Sequence, residues 1–146
     1  RKGVSQGGAA APAHSHASFI LETLEFMHAG GRCSAGTALG ANLLRLKPCI
    51  EVDNLRGGAM SVGKKYRGSL EKVLPQYTRD KLADRADLVL DRVFITHSGI
   101  SQNYIDLVRS TIQQIADFRE ICVTRASCTI SCHCGPNTLG VLFLTK

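Results

Sequence analysis

Two short apolar runs near the C-terminus, Ile121–Val123 and Leu139–Leu144, do most to limit what this chain of 146 residues can fold into. Each run lies next to polar residues or turn formers, and each is too short for a buried helix. Each therefore reads as a strand in a sheet. The connector between them holds Cys128, Cys132, His133 and Cys134 and ends in the breaker pair Gly135-Pro136. Two strands thus present one polar, reactive loop, and any site on this chain is expected to use it.

The preceding residues extend the same sheet. Arg92–His97 reads as a buried strand turned by Ser98-Gly99. Ser101 then opens a helix whose core face is Tyr104, Ile105, Val108, Ile112 and Ile115, at helical spacing. Arg119–Arg125 is the following strand. Further upstream, a short strand at Ser18 leads into a helix from about Glu22 to His28, stopped by Ala29-Gly30-Gly31. Ser34 caps a second helix, Ala35 to about Leu46, which Lys47-Pro48 breaks. Cys49–Asp53 alternates apolar and polar residues, turns over 54–58 and returns as a hairpin through Met60–Tyr66. A helix follows from Gly68-Ser69 to about Leu82, with Pro75 either splitting it or marking its start. Asp80–Asp91 reads as the exposed end of that helix plus a loop. A hairpin followed by strand–helix–strand units predicts an α/β fold. The expected form is a two-layer lobe with a mixed, largely antiparallel sheet covered by helices on one face.

Composition sets outer limits. A hydrophobic fraction of 44% without tryptophan suits one globular domain, or one lobe of something larger. No apolar run reaches the roughly 18 residues a membrane span needs. Residues 1–15 lack the apolar middle of a secretory signal and are expected to be a disordered lead-in or an artificial remnant, with the domain over 16–146. Six cysteines without a signal segment suggest a reduced, cytoplasmic protein. The net charge of +6 is uneven: residues 1–74 hold ten Lys/Arg against five Asp/Glu, and the remainder eight against seven. That excess suits an anionic partner as well as a solvated basic surface.

Four chemistries are open to these residues. Cys128, Cys132, His133 and Cys134 are metal-ligand types, but consecutive residues in extended chain point apart and strain a single tetrahedral site. A Cys–His nucleophile meets the same objection, although His97 at a strand end could approach a thiol from elsewhere. Nucleic-acid binding is permitted by the charge, but no recognition motif and no basic–aromatic interleaving support it. An anion site is the fourth. Arg32 follows Gly30-Gly31, Arg67 precedes Gly68, and His133 lies two before Gly135-Pro136. Arginine offers a bidentate fork to carboxylate or phosphate, and histidine adds a donor near neutral pH. Lys64 and Lys65 join Arg67 in a basic cluster that reads equally as an anion site or a solvated strand end.

Four ordered segments resemble the C-terminal lobe of the DegV family, bacterial proteins that bind fatty acids. They are Thr23–Ser34, Leu44–Val52, Gly63–Gly68 and Ser131–Phe143, and the resemblance covers about residues 16–146. It implies a two-lobed protein with a long-chain fatty acid held between lobes, and no cofactor or metal. The N-terminal lobe, absent from this chain, would supply hydroxyls to the carboxylate. By motif, Arg32, Arg67 and His133 fall on the head-group end. In the kinase-linked members those positions also border the surface that meets a separate fatty-acid kinase subunit, so the chain itself would not be an enzyme. Asn137 stands where the family usually carries a glycine. Without the other lobe an apolar face is expected to stay uncovered and to favour self-association. The rivals are a cysteine-rich metal or redox module and, on architecture alone, a dihydroxyacetone-kinase-like enzyme.

Overall fold

A computed structural model describes residues 14–23, 29 and 46–146, apart from the side chains of Thr129 and His133. In chain order the elements are β1 (Ser15–Ile20), β2 (Leu46–Asp53), β3 (Ala59–Arg67), α1 (Leu70–Leu82), β4 (Leu88–His97), α2 (Gln102–Ile115), β5 (Glu120–Arg125), α3 (Cys128–Cys134) and β6 (Leu139–Thr145). The strands form one sheet in the order β3-β2-β1-β6-β4-β5. Every pairing is antiparallel except β4 with β5. This is the mixed, largely antiparallel two-layer arrangement expected from the sequence.

Strand alternation decides which side chains the helices cover. Ile20, Cys49, Val93, Ile95, Leu139 and Val141 point to one face and are buried there against Leu74 and Tyr77 of α1 and Val108 and Ile112 of α2. The residues next to them along the strands, Phe19, Ile50, Phe94, Thr96 and Leu142, point to the other face, which neither α1 nor α2 covers. That open face also carries Met60 and Val62 on β3, exposed at 56% and 58%.

The middle of the sheet joins the most distant segments of the chain. β1 pairs with β6 from Ser15↔Leu144 to Ile20↔Leu139. Tyr77, fully buried, reaches this seam from α1. Its hydroxyl donates to the Ser18 carbonyl (2.8 Å), accepts from the Val141 amide (3.0 Å) and contacts the Ser18 hydroxyl (2.7 Å). Burial pushes the phenol well above its ordinary range, so it stays protonated and able to donate.

Four sequence expectations change. β2 begins at Leu46, so Lys47-Pro48 lies inside a strand instead of ending a helix; a register shift between Pro48 and Ile50 marks a bulge, where a residue lacking N–H is tolerated. Pro75 neither splits nor starts α1, which runs unbroken through it. Its neighbours Val73, Leu74, Tyr77 and Thr78 are buried, and tertiary packing outweighs the local cost. β4 begins at Leu88, within the stretch read as loop, because it pairs with Thr145 beyond an irregular stretch. The connector before Gly135 is helical, with Ser127 at its N-cap accepting from the Ile130 amide (3.3 Å). Ser101 stands at the N-cap of α2, but its side chain makes no capping bond. The two helices expected between Glu22 and Leu46 fall mostly outside the described residues; of those described, Glu22 and Thr23 are not helical, and Leu46 belongs to β2.

Tyr77→Phe keeps the ring and strands the Val141 amide and the Ser18 groups inside the core. Urea unfolding is expected to show a loss of about 1–3 kcal/mol with an unchanged m-value.

Candidate functional site

One end of the sheet gathers the chemistry. The register places the carboxyl ends of β1, β3, β4 and β5 beside the starts of β2 and β6: Ile20 pairs with Leu139 and Cys49, Leu46 with Arg67, and His97 with Leu139 and Arg125. α3 and the Gly135-Pro136-Asn137 turn sit at this end because they lead directly into β6. Ligands favour the carboxyl ends of parallel strands, and β4–β5 supplies that pair here.

Arg67 is the last residue of β3 and is exposed. Its partner Leu46 packs against a small apolar cluster of Leu21, Ile50 and Cys134, on the open face. Arg67 therefore belongs to the same face and the same end as α3, which carries His133 as its penultimate residue. Three strand spacings, about 14 Å, separate β3 from β6. Lys64 takes no part. It points to the other face, held by Asp80 of α1 (2.9 Å) and lying 5.0 Å from the Tyr66 ring centroid. Arg32 and the side chain of His133 lie outside the described residues.

Under α3 the open face holds an apolar slot of about 250 Å³. Ala17 and Phe19 of β1, Val52 of β2, Gly140 and Leu142 of β6, and Ile130 of α3 line it. Gly140 is needed for the close approach of β1: a Cβ there would lie 2.4 Å from the Ser18 carbonyl oxygen.

The rim of the slot is a network of turns. The Ser98 hydroxyl donates to the Gly135 carbonyl (2.5 Å), while the Ser98 amide donates to the Thr138 carbonyl (3.1 Å). The Asn137 amide donates to the Gly99 carbonyl (2.9 Å). Asn137 itself is left-handed, with φ of 61°, a conformation asparagine adopts more readily than most residues. Its side chain then donates to Glu22 just after β1, at 2.6 Å. His97 also lines the slot, and Arg125 is its partner in the β4–β5 ladder. His97 Nδ1 accepts from the Gly99 amide (3.1 Å), which leaves the proton on Nε2. Sequence reasoning noted His97 only as a possible partner for a thiol; the partner found is this amide. Arg125, which the sequence reading did not single out, ends β5 beside this glycine turn.

The thiols divide by burial. Cys49 and Cys134 are buried, and burial pushes both above the ordinary thiol range. Cys128 and Cys132 are exposed, one helical turn apart on α3. All five described cysteines are unpaired. No group of three or more metal-ligating side chains occurs among the described residues. Exposed Cys128 and Cys132 are expected to react with a chromogenic disulfide reagent in the folded chain, whereas Cys49 and Cys134 react only after denaturation.

Burial, and then the Arg125 guanidinium, hold His97 below its ordinary value near 6.5. A depressed histidine favours the folded state in its neutral form, so this contribution is present above about pH 6.5 and is lost as pH falls through the folded-state value. In an NMR titration, Arg125→Gln is expected to raise the His97 midpoint only part of the way, because burial remains.

Comparison with known proteins agrees with this architecture. The family model described as "Uncharacterised protein, DegV family" matches residues 9–146. A DegV domain-containing protein of Deinococcus radiodurans is 31% identical over 134 residues, which cover 90% of this chain and 45% of that protein. Among solved structures, a DegV family protein of Eubacterium eligens loaded with heptadecanoic acid superimposes with a TM-score of 0.79 at 20% identity. The Fatty Acid Kinase (Fak) B3 protein of Streptococcus pneumoniae loaded with linoleic acid does so with 0.76 at 16%. Each covers 99% of this chain and 50% of its own. The chain spans about half the length of the relatives it matches. It belongs to the DegV family.

Proposed function

We propose that this chain is the C-terminal lobe of a two-lobed protein that holds a long-chain fatty acid. The acyl chain lies on the open face, in the slot beneath α3, and the carboxylate points toward Arg32, Arg67 and His133. The observation that carries this reading is the slot itself, an apolar cavity on the open face lined by Ile130 of α3 and by Thr138 at the same sheet end as Arg67. At about 250 Å³ it falls short of the roughly 300–1,000 Å³ of a complete small-molecule pocket, as half of a shared tunnel would. Each buried methylene adds about 0.8 kcal/mol, so chain-length selection resides in tunnel depth. Met60 and Val62, exposed on the same face, suit cover by an N-terminal lobe. The described thiols, all unpaired, suit the cytoplasm.

On this reading the protein binds and presents the acid and carries out no turnover itself. A separate kinase subunit, of the kind implied by the name of the pneumococcal neighbour, would act on the presented carboxylate. No specific observation favours a metal or redox module.

Two outcomes test the reading. Mass spectrometry of lipids extracted from the two-lobed protein is expected to find acyl chains, whereas the isolated 146 residues retain little and tend to self-associate; a tight monomeric acyl complex of the isolated chain would contradict the shared tunnel. In the two-lobed protein, Arg67→Ala removes a charge-assisted contact worth about 1.5–3 kcal/mol, which is about 10- to 150-fold in fatty-acid affinity. Parental affinity in that variant removes Arg67 from the site.

A further inference from the structure

On the helical side of β5 a separate hollow, of about 340 Å³, has no part in the fatty-acid reading. Arg109, Gln113, Asp117, Phe118, Arg119 and Ile121 line it. Its place follows from the fold. Arg109 and Gln113 are four residues apart and so share one flank of α2. Phe118 and Ile121 pack on the core beneath the helices and give the hollow an apolar floor. Asp117 and Arg119, in the turn that leads into β5, bring charge to its rim. Six residues of extended chain, about 20 Å, separate Arg119 from Arg125 at the far end of β5. The hollow is therefore remote from the slot. It lies on the face that α1 and α2 cover, not on the face an N-terminal lobe would take.

Its charged groups are unpaired. Neither Arg109, Arg119 nor Asp117 makes an ion pair among the described residues. Arg109 is half-buried, and its Nε is a buried donor with no hydrogen-bond partner among the described residues. Such a donor costs free energy in the free protein, and a ligand acceptor would recover it. Two guanidinium forks and a carboxamide suit a group with two charges and several oxygens, which describes a phosphate monoester better than a carboxylate. Asp117 would repel that group but accepts from hydroxyls. It also borders a neighbouring hollow of about 530 Å³, which leaves room for the body of a ligand. A volume of about 340 Å³ falls within the roughly 300–1,000 Å³ of small-molecule pockets and is more than one phosphate fills.

We propose that this hollow, between α2 and the start of β5, binds a small phosphate monoester that carries hydroxyl groups, such as a sugar phosphate. Arg109 and Arg119 grip the phosphate, Gln113 donates to it, and Asp117 accepts from the hydroxyls. The site is independent of the slot and of what the slot holds.

The test titrates the two-lobed protein with ribose 5-phosphate, inorganic phosphate and ribose, followed by calorimetry and by the NMR signal of the Arg109 Nε–H. Ribose 5-phosphate is expected to saturate and to move that signal, inorganic phosphate to bind more weakly, and ribose to do neither. Arg109→Met and Arg119→Met are each expected to weaken ribose 5-phosphate about tenfold or more. Arg79→Met, which removes an exposed charge of α1, is expected to leave it unchanged. Because Arg109→Met removes the unpartnered donor, that variant is expected to melt no lower than the parent, which separates lost binding from lost folding. A parent that gives neither heat nor a shifted signal with ribose 5-phosphate overturns the site. So does binding that survives both substitutions, or an equal loss in Arg79→Met. Inorganic phosphate binding as tightly as ribose 5-phosphate overturns the sugar phosphate and leaves an adventitious ion only.

Discussion

The hydroxyl of Tyr77 holds the seam on which the sheet depends. β1 and β6 are the first and last described strands, so their pairing closes nearly the whole chain and costs the most loop entropy of any pairing in the fold. A buried phenol from the middle of the sequence bridges the two strands at Ser18 and Val141. At one end of the seam His16 stacks on Phe143 with ring centroids 5.0 Å apart and bonds Thr145 at 3.1 Å. At the other end Asn137 reaches Glu22. Three side-chain contacts thus pin a junction whose backbone alone would leave the two half-sheets β3-β2-β1 and β6-β4-β5 joined by a single ladder.

The same seam explains where the slot lies. Gly140 sits in β6 opposite Phe19, and only hydrogen at its α-carbon permits the β1 backbone to come so close. Losing a side chain on the open face also leaves room there. Phe19 and Leu142 flank the opening, and Ile130 of α3 lies over it. Most of the polar groups gather at the rim because the strands themselves alternate between core and slot. Turns alone are free to present backbone and charged groups without burying them unpaired.

Periodicity made most of the sheet legible. The hairpin from Cys49 and the helix around Ile105 and Val108 follow from spacing of two or of three and four, and the strands at Arg92–His97 and Leu139 from short buried runs beside turn formers. What failed had a local signal pointing the wrong way. Pro48 and Pro75 read as breaks, but a bulge absorbs one and packing overrides the other. The cysteine connector has only seven helical residues, too few to show a period, and its N-cap Ser127 lies among other polar residues. The candidate site was less legible. Arg67 was visible as a cation before glycine, but its face and end of the sheet required the register with Leu46. The approach of Arg125 to Gly99 was invisible, because a sequence records a glycine without recording what approaches it.

Lys64 and Arg67 show what register adds to composition. Both belong to one basic cluster at the end of β3, and charge alone cannot divide them. Three positions apart along a strand, they point to opposite faces. Lys64 is held by Asp80 and Tyr66 on the helical side, as part of the scaffold. Arg67 faces the slot side, with no such partner among the described residues. Asn137 makes the complementary point. Glycine would satisfy its left-handed φ with less strain, yet asparagine keeps the turn and adds a hydrogen bond to the segment that leaves β1. That bond draws the chain after Ile20 toward the turn after His133, so a single residue in the last loop bears on how the two parts of the rim are held together.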